Sequence, residues 1–224
     1  MYETCGFLYA EKEAVMEGLS FYSWIAVGAL LVLMGIGLMI SRRRVKWTAS
    51  MLAKAALCVA LAYLLGLIRL FRMPMGGSVK LAAMLPLILF AYAFGPLEGI
   101  LIGCVTGLLH LIVDPYVIHP IQLLVDYPMA YAAVALCCAA KRLPFKPKWK
   151  LASACVLGYV GRLIMAVLSG VIFFADYAGD QGVLAYSLIY NAGYLAPEAA
   201  ICAALCLFPN MERLPKLIRT GRMR

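Results

Sequence analysis

Long apolar runs, broken by short polar or Gly/Pro segments, make up most of the chain. Residues 21–41, 49–70, 81–94, 97–113, 120–140, 151–175 and 183–208 are such runs. A helix needs about 20 residues to cross a hydrocarbon core, and barrel strands would alternate apolar with polar instead. The pattern therefore predicts seven helical spans, the third of them short and interrupted by Pro86. Between them, residues 69–80 read as a Gly/Pro loop and Phe94-Gly95-Pro96 as a tight turn. Asp114-Pro115 ends the fourth span, and residues 176–182 form a polar turn. The fold class is an all-α polytopic membrane protein.

Composition narrows the function classes. Of 224 residues, 65% are hydrophobic, which leaves no room for a soluble domain. The net charge of +9 is not read as a nucleic-acid surface, because the cations flank apolar runs. The segment before the first run is acidic, and Arg42-Arg43-Arg44 follow that run. This is the reverse of a signal peptide, so the first span is expected to be retained with the N-terminus outside. That orientation places 14 of the 20 Lys and Arg residues inside and the C-terminus in the cytoplasm. Arg69, Arg72 and Lys80 then fall outside, against the rule.

The eight cysteines show no CxxC or Cys/His metal spacing, and seven lie in apolar runs as small hydrophobes. No metal site and no cofactor are expected. No phosphate-binding glycine loop, GxSxG or HExxH occurs, so the chain is not expected to be an enzyme. With no ATP site of its own, energised transport would need partner subunits.

The candidate chemistry centres on Asp126, which follows Leu123-Leu124-Val125. An acid within a span costs about 2.5–3.5 kcal/mol on insertion scales and marks a functional site. It could bind a cation, relay protons or pair with Arg162. Tyr186, Tyr190 and Asn191 share a face of the last span. The asparagine amide could read a heterocycle edge. Phe173, Phe174 and Tyr177 surround Asp176, an aromatic-plus-acid grouping that suits an organic cation. Glu198 is a second acid within a span, with packing or a helix kink as its alternative roles. His110 is expected to line a cavity or be buried, and His119 to lie in a loop. Ala56 and Ala60 form a small-xxx-small pair, open between internal packing and partner contact.

Four stretches bear a resemblance to a known family. They are Gly76-Gly-Ser-Val, His119-Pro-Ile-Gln-Leu-Leu-Val-Asp-Tyr-Pro-Met-Ala, Ser169-Gly-Val-Ile-Phe-Phe-Ala-Asp-Tyr-Ala, and Tyr186-Ser-Leu-Ile-Tyr-Asn-Ala-Gly-Tyr-Leu-Ala-Pro-Glu. In order and spacing over residues 50–208 they resemble the thiamine-specific S component of energy-coupling-factor (ECF) transporters, the ThiT/YuaJ family. The resemblance implies a six-helix core, residues 48–224, preceded by an added transmembrane helix within residues 1–47. It implies a subunit of a bacterial cell membrane that captures thiamine from outside for ATP-driven uptake. Its partners would be the bilayer, a T component and two ATP-binding subunits.

The resemblance also implies roles for residues. Asp126 matches the acidic ligand to thiamine, with Tyr127 beside it. Phe174 matches the aromatic that stacks on the ligand. Tyr186 and Asn191 match the pair in the last helix, and Ala56 and Ala60 match the surface that meets the T component. The chain departs from the family at Ala166, where some members carry histidine, and at Thr106, where a tryptophan occurs. Lys80 adds a cation near the expected mouth. A thiamine precursor or other heterocyclic vitamin is therefore an alternative ligand, and a non-transporting membrane sensor or scaffold an alternative function.

Overall fold

The computed structural model describes residues 47–73, 77–113, 119–179 and 182–221, and all of them fall within one compact unit, Ser41–Arg224. The expected first span and the role of residues 1–47 lie outside the described residues, apart from Trp47.

Helix α1 (Ala49–Leu67) starts where Thr48 caps it, its hydroxyl accepting from the Met51 N–H at 3.3 Å. The expected Gly/Pro loop that follows is instead a hairpin. Strand β1 (Arg69–Arg72) pairs antiparallel with β2 (Ser78–Lys80). The Met73 N–H donates to Gly77 O at 2.7 Å and holds the two strands together beyond their ladder.

Helix α2 (Leu85–Phe94) is apolar all round and its central residues are sealed, with Leu87, Ile88 and Phe90 inaccessible to solvent. Such a helix belongs in a core. At ten residues it covers about 15 Å and cannot cross a bilayer alone. Pro86 does not interrupt it; the residue sits in the first turn, where a missing N–H leaves no bond unmade. Gly95 then turns the chain with φ 150° into α3 (Pro96–Val113).

Helix α4 is composite. An α-helical turn, Pro120–Leu124, passes into a π-helical turn, Val125–Met129, then Ala130–Ala132 and a tighter 3-10 stretch, Ala133–Arg142. His119 is not a plain loop residue: its Nδ1 caps the first turn, accepting from Ile121 N–H at 3.2 Å. Pro128 has no N–H to return to the preceding turn, and the widened turn absorbs that loss. Helices α5 (Pro147–Phe173) and α6 (Val183–Cys206) are long enough to span, as are α1 and α4. A short helix, α7 (Leu214–Thr220), occupies the basic tail.

Packing follows from small residues. At Gly103 and Gly107 of α3, a Cβ would run into the backbone of Tyr131 and of Tyr127 in α4. The glycine-rich fourth run thus lets α3 lie directly on the π-helical turn. One core cluster joins α2, α4, α5 and α6, and a second joins α1, α2, α3 and α4. Cys155, Cys202 and Cys206 are fully buried in the first, as small packing residues. The outward faces are apolar as well, with Leu57 60%, Ile164 57% and Ile189 69% exposed. A surface of that kind is stable against lipid, not water.

Candidate functional site

A cavity of about 420 Å³ opens among the hairpin, α3, α4, α5 and α6. That volume suits a small molecule. Asp126, Tyr127, Phe174, Tyr186 and Asn191 all line it, so five residues chosen on three separate elements meet at one place.

Asp126 stands in the π-helical turn of α4, partly open to the cavity. Gln122, one turn earlier, donates from Nε2 to Asp126 Oδ2 at 2.7 Å. The Ser169 hydroxyl is buried next to the carboxylate without completing a hydrogen bond of good geometry. Tyr127 follows, with its backbone seated on Gly107.

The direct pairing of Asp126 with Arg162 does not form. Arg162 reaches instead to Met84 Sδ at 3.0 Å and to the Tyr131 hydroxyl at 3.5 Å, with its guanidinium 4.6 Å from the centre of the Tyr131 ring. The face of Tyr131 thus holds the arginine by a cation–π contact. Arg162 also lines the cavity, close enough to Asp126 to act on it across space. Glu198, fully buried and outside the cavity lining, also acts on Arg162 across space.

Helix α6 supplies a tyrosine wall. Tyr186, Tyr190 and Tyr194 recur every fourth residue and line the cavity together. Tyr186 stacks on Tyr190 at 6.2 Å, and Tyr194 meets Tyr190 edge-on at 6.0 Å. Asn191 is held firmly: its Nδ2 donates to Ser187 O at 2.9 Å and Ala166 O at 3.3 Å, and its Oδ1 accepts from the Tyr194 hydroxyl at 2.8 Å. An amide oxygen has a second lone pair, so Oδ1 can accept one further donor. Phe174 closes the wall at the end of α5, tilted against Tyr177 at 6.0 Å. Asp176, in the following short turn, is exposed and outside the lining.

Sequence reasoning missed Gln122, Tyr131, Ser169 and Tyr194. Helical spacing from Asp126 and from Tyr186 was the signal that could have found three of them. His110 lines the cavity as expected, stacked on Tyr131 at 5.0 Å. Its Nε2 is buried without a partner, and Gly66 of α1 leaves the room its ring needs.

The family model described as Thiamine transporter protein (Thia_YuaJ) matches residues 52–218. The chain belongs to this family. Thia_YuaJ is a family of transporters, not of enzymes, and this member is a multi-pass membrane protein. The chain is 35% identical over 185 residues to the thiamine transporter ThiT of Bacillus subtilis (strain 168), covering 76% of this chain and 95% of that protein. Its fold is similar to that of ThiT from Listeria monocytogenes, with a TM-score of 0.64, 23% identity, and coverage of 75% of this chain and 96% of that one.

Of the two positions at which the resemblance implies a departure, Ala166 lines the cavity and Thr106 does not. Thr106 is buried within α3, its hydroxyl donating to Ile102 O at 2.8 Å. Lys80 lines the cavity too, with Arg69 and Arg72 from the opposite strand. Ala56 and Ala60 are exposed on α1, away from the internal packing seam.

Proposed function

We propose that the cavity binds thiamine and that the chain is the substrate-capturing S component of an ECF-type importer. The observation that carries this reading is the meeting of Asp126, the aromatic wall and Asn191 in one cavity of a Thia_YuaJ member. Thiamine carries a fixed thiazolium charge and an aminopyrimidine edge. Asp126 supplies the counter-charge, Phe174 and Tyr186 offer electron-rich faces, and Tyr127 borders the acid. The free lone pair of Asn191 accepts from the exocyclic amine. The relatives support the ligand: the Bacillus subtilis protein is a thiamine transporter, and the Listeria monocytogenes structure is of a ThiT.

Uptake would run inward across the bacterial cell membrane, with the N-terminus outside and the C-terminus in the cytoplasm. Energy would come from two ATP-binding subunits joined through a T component. The exposed Ala56 and Ala60 on α1 offer the close-packing surface for that partner. Residues 1–47 would form the separate N-terminal extension, and 48–224 the core. The test is titration of the purified full chain with thiamine, together with affinity capture of ATP-binding subunits from membranes of the source cell. Absence of thiamine binding would reject the ligand. Thiamine binding without captured ATP-binding subunits would favour the sensor reading.

A further inference from the structure

A second hollow lies apart from the cavity, where the start of α5 meets the end of α6. It is an open groove of about 620 Å³, lined from residues 149–157 and 200–207 with Leu143 at one end. Small side chains form its floor. Ala152, Ser153, Ala200, Ala203 and Ala204 recur at helical spacing on the two facing stripes. Beside them stand Trp149, Val156 and Leu207, between 37% and 50% exposed. Apart from the Ser153 hydroxyl and the Trp149 indole N–H, the lining side chains are hydrocarbon. On a lipid-facing surface such a hollow is filled, because an empty apolar gap forfeits dispersion contacts along its walls.

Length decides what fills it. Nine residues of α5 cover about 13 Å. That is close to one leaflet of a hydrocarbon core about 30 Å thick. A partner helix crossing the bilayer would need a groove about twice as long. One acyl chain fits within a single leaflet.

One end of the groove is cationic. Residues 141–150 carry Lys141, Arg142, Lys146, Lys148 and Lys150 and no acid. Lys150 Nζ donates to Lys141 O at 3.4 Å, and Lys141 Nζ lies 5.3 Å from the centre of the Tyr92 ring, so this pair ties the loop to the helices. Arg142 and Lys148 are exposed, and both border the groove. Arg142 precedes Leu143, and Lys148 lies one turn before Ala152. Trp149 stands between these cations and the alanine floor, the position an indole takes at headgroup level.

We propose that this groove binds an anionic glycerophospholipid, with one acyl chain between α5 and α6 and the headgroup phosphate on Arg142 and Lys148. The guanidinium offers the phosphate two parallel donors, and the ammonium adds a point charge. A zwitterionic lipid fills the same floor, but its own ammonium competes with the two cations. Discrimination between lipids therefore comes from the charged rim, and retention of the chain from the floor.

The experiment uses the full chain with Trp149 as its single tryptophan, through Trp24→Phe and Trp47→Phe. The protein is reconstituted in phosphatidylcholine vesicles, and brominated phosphatidylglycerol or brominated phosphatidylcholine is added as a contact quencher. Phosphatidylglycerol is expected to be preferred at Trp149 by at least about tenfold, with the preference falling as salt is raised. Arg142→Gln and Lys148→Gln, made singly, are each expected to lower that preference about threefold. Ala204→Phe fills the floor while keeping both cations, and is expected to bring the preference close to one. Equal quenching by the two lipids overturns the proposal. So does a preference that neither cation variant lowers, or one that survives Ala204→Phe, since it then belongs to the basic surface in general and not to the groove.

Discussion

Gln122 and Asp126 lie one helical turn apart on α4, and the glutamine amide donates to the carboxylate across 2.7 Å. The bond occupies one carboxylate oxygen and fixes the rotamer of the acid at the cavity wall. Gln122 is itself buried, so its cost of burial is met by that contact. Replacing it with alanine frees the carboxylate to swing. Thiamine affinity is expected to fall about fivefold, the equivalent of about 1 kcal/mol for one lost positioning hydrogen bond. Gln122→Glu sets a like charge beside Asp126 and is expected to perturb binding more. Calorimetry on the two variants checks the order.

Asn191 depends on Tyr194 in the same way. The Tyr194 hydroxyl donates to Asn191 Oδ1 at 2.8 Å and orients the amide. Tyr194→Phe should lower thiamine affinity by about 1 kcal/mol. Asn191→Ala should cost more, since it removes the reading group itself. An Asn191→Ala variant that binds like the parent would contradict its role.

Tyr190 joins the cavity wall to the hairpin. Its hydroxyl accepts from the Gly77 N–H at 3.1 Å, across 113 residues of sequence. Tyr190→Phe removes the acceptor while keeping the ring contacts with Tyr186 and Tyr194. Thiamine release is expected to quicken by about fivefold, with little change in association, because most interface changes act on the off-rate. Stopped-flow fluorescence would resolve the two rates.

Gly107 lets α3 lie on the backbone of Tyr127 and Pro128. A methyl group there would push the helices apart. Gly107→Ala is expected to destabilise the fold by about 1–3 kcal/mol, as overpacking does, and to lower the melting temperature in detergent. Binding should weaken as well, since the contact seats the turn that carries Asp126.

Ala56→Trp combined with Ala60→Trp should separate binding from transport. Both residues are exposed on α1 and outside the cavity lining. Purified protein should bind thiamine as the parent does, while capture of ATP-binding subunits and uptake by cells are lost. Retained capture would place the partner surface elsewhere.

The helical spans were legible because lipid imposes a length and a composition on them. Four described helices meet both conditions. Helix α2, expected as a short span, is ten residues long and buried by protein; a segment buried by protein and one buried by lipid carry the same apolar code. The hairpin was missed because strands of four and three residues leave too little alternation to detect. In the site, Asp126, Phe174, Tyr186 and Asn191 stood out as polar or aromatic residues at the ends of apolar runs or within them. Gln122 and Tyr131 are uncharged members of the same run, and their roles follow from helix geometry: Gln122 lies four residues before Asp126, and Tyr131 lies five after it, across the π-helical turn. The Asp126–Arg162 pairing failed because Tyr131, from the same helix as Asp126, takes the guanidinium on its ring face.

The role of Asp126 as the partner of a bound cation is tested most directly by titrating thiamine into the purified full chain and its Asp126→Asn variant. The substitution keeps the side chain's shape and removes its charge. The expected result is tight binding by the parent and a loss of about tenfold or more in the variant, in line with losing a charge-assisted contact. Equal affinity in the two proteins would contradict it.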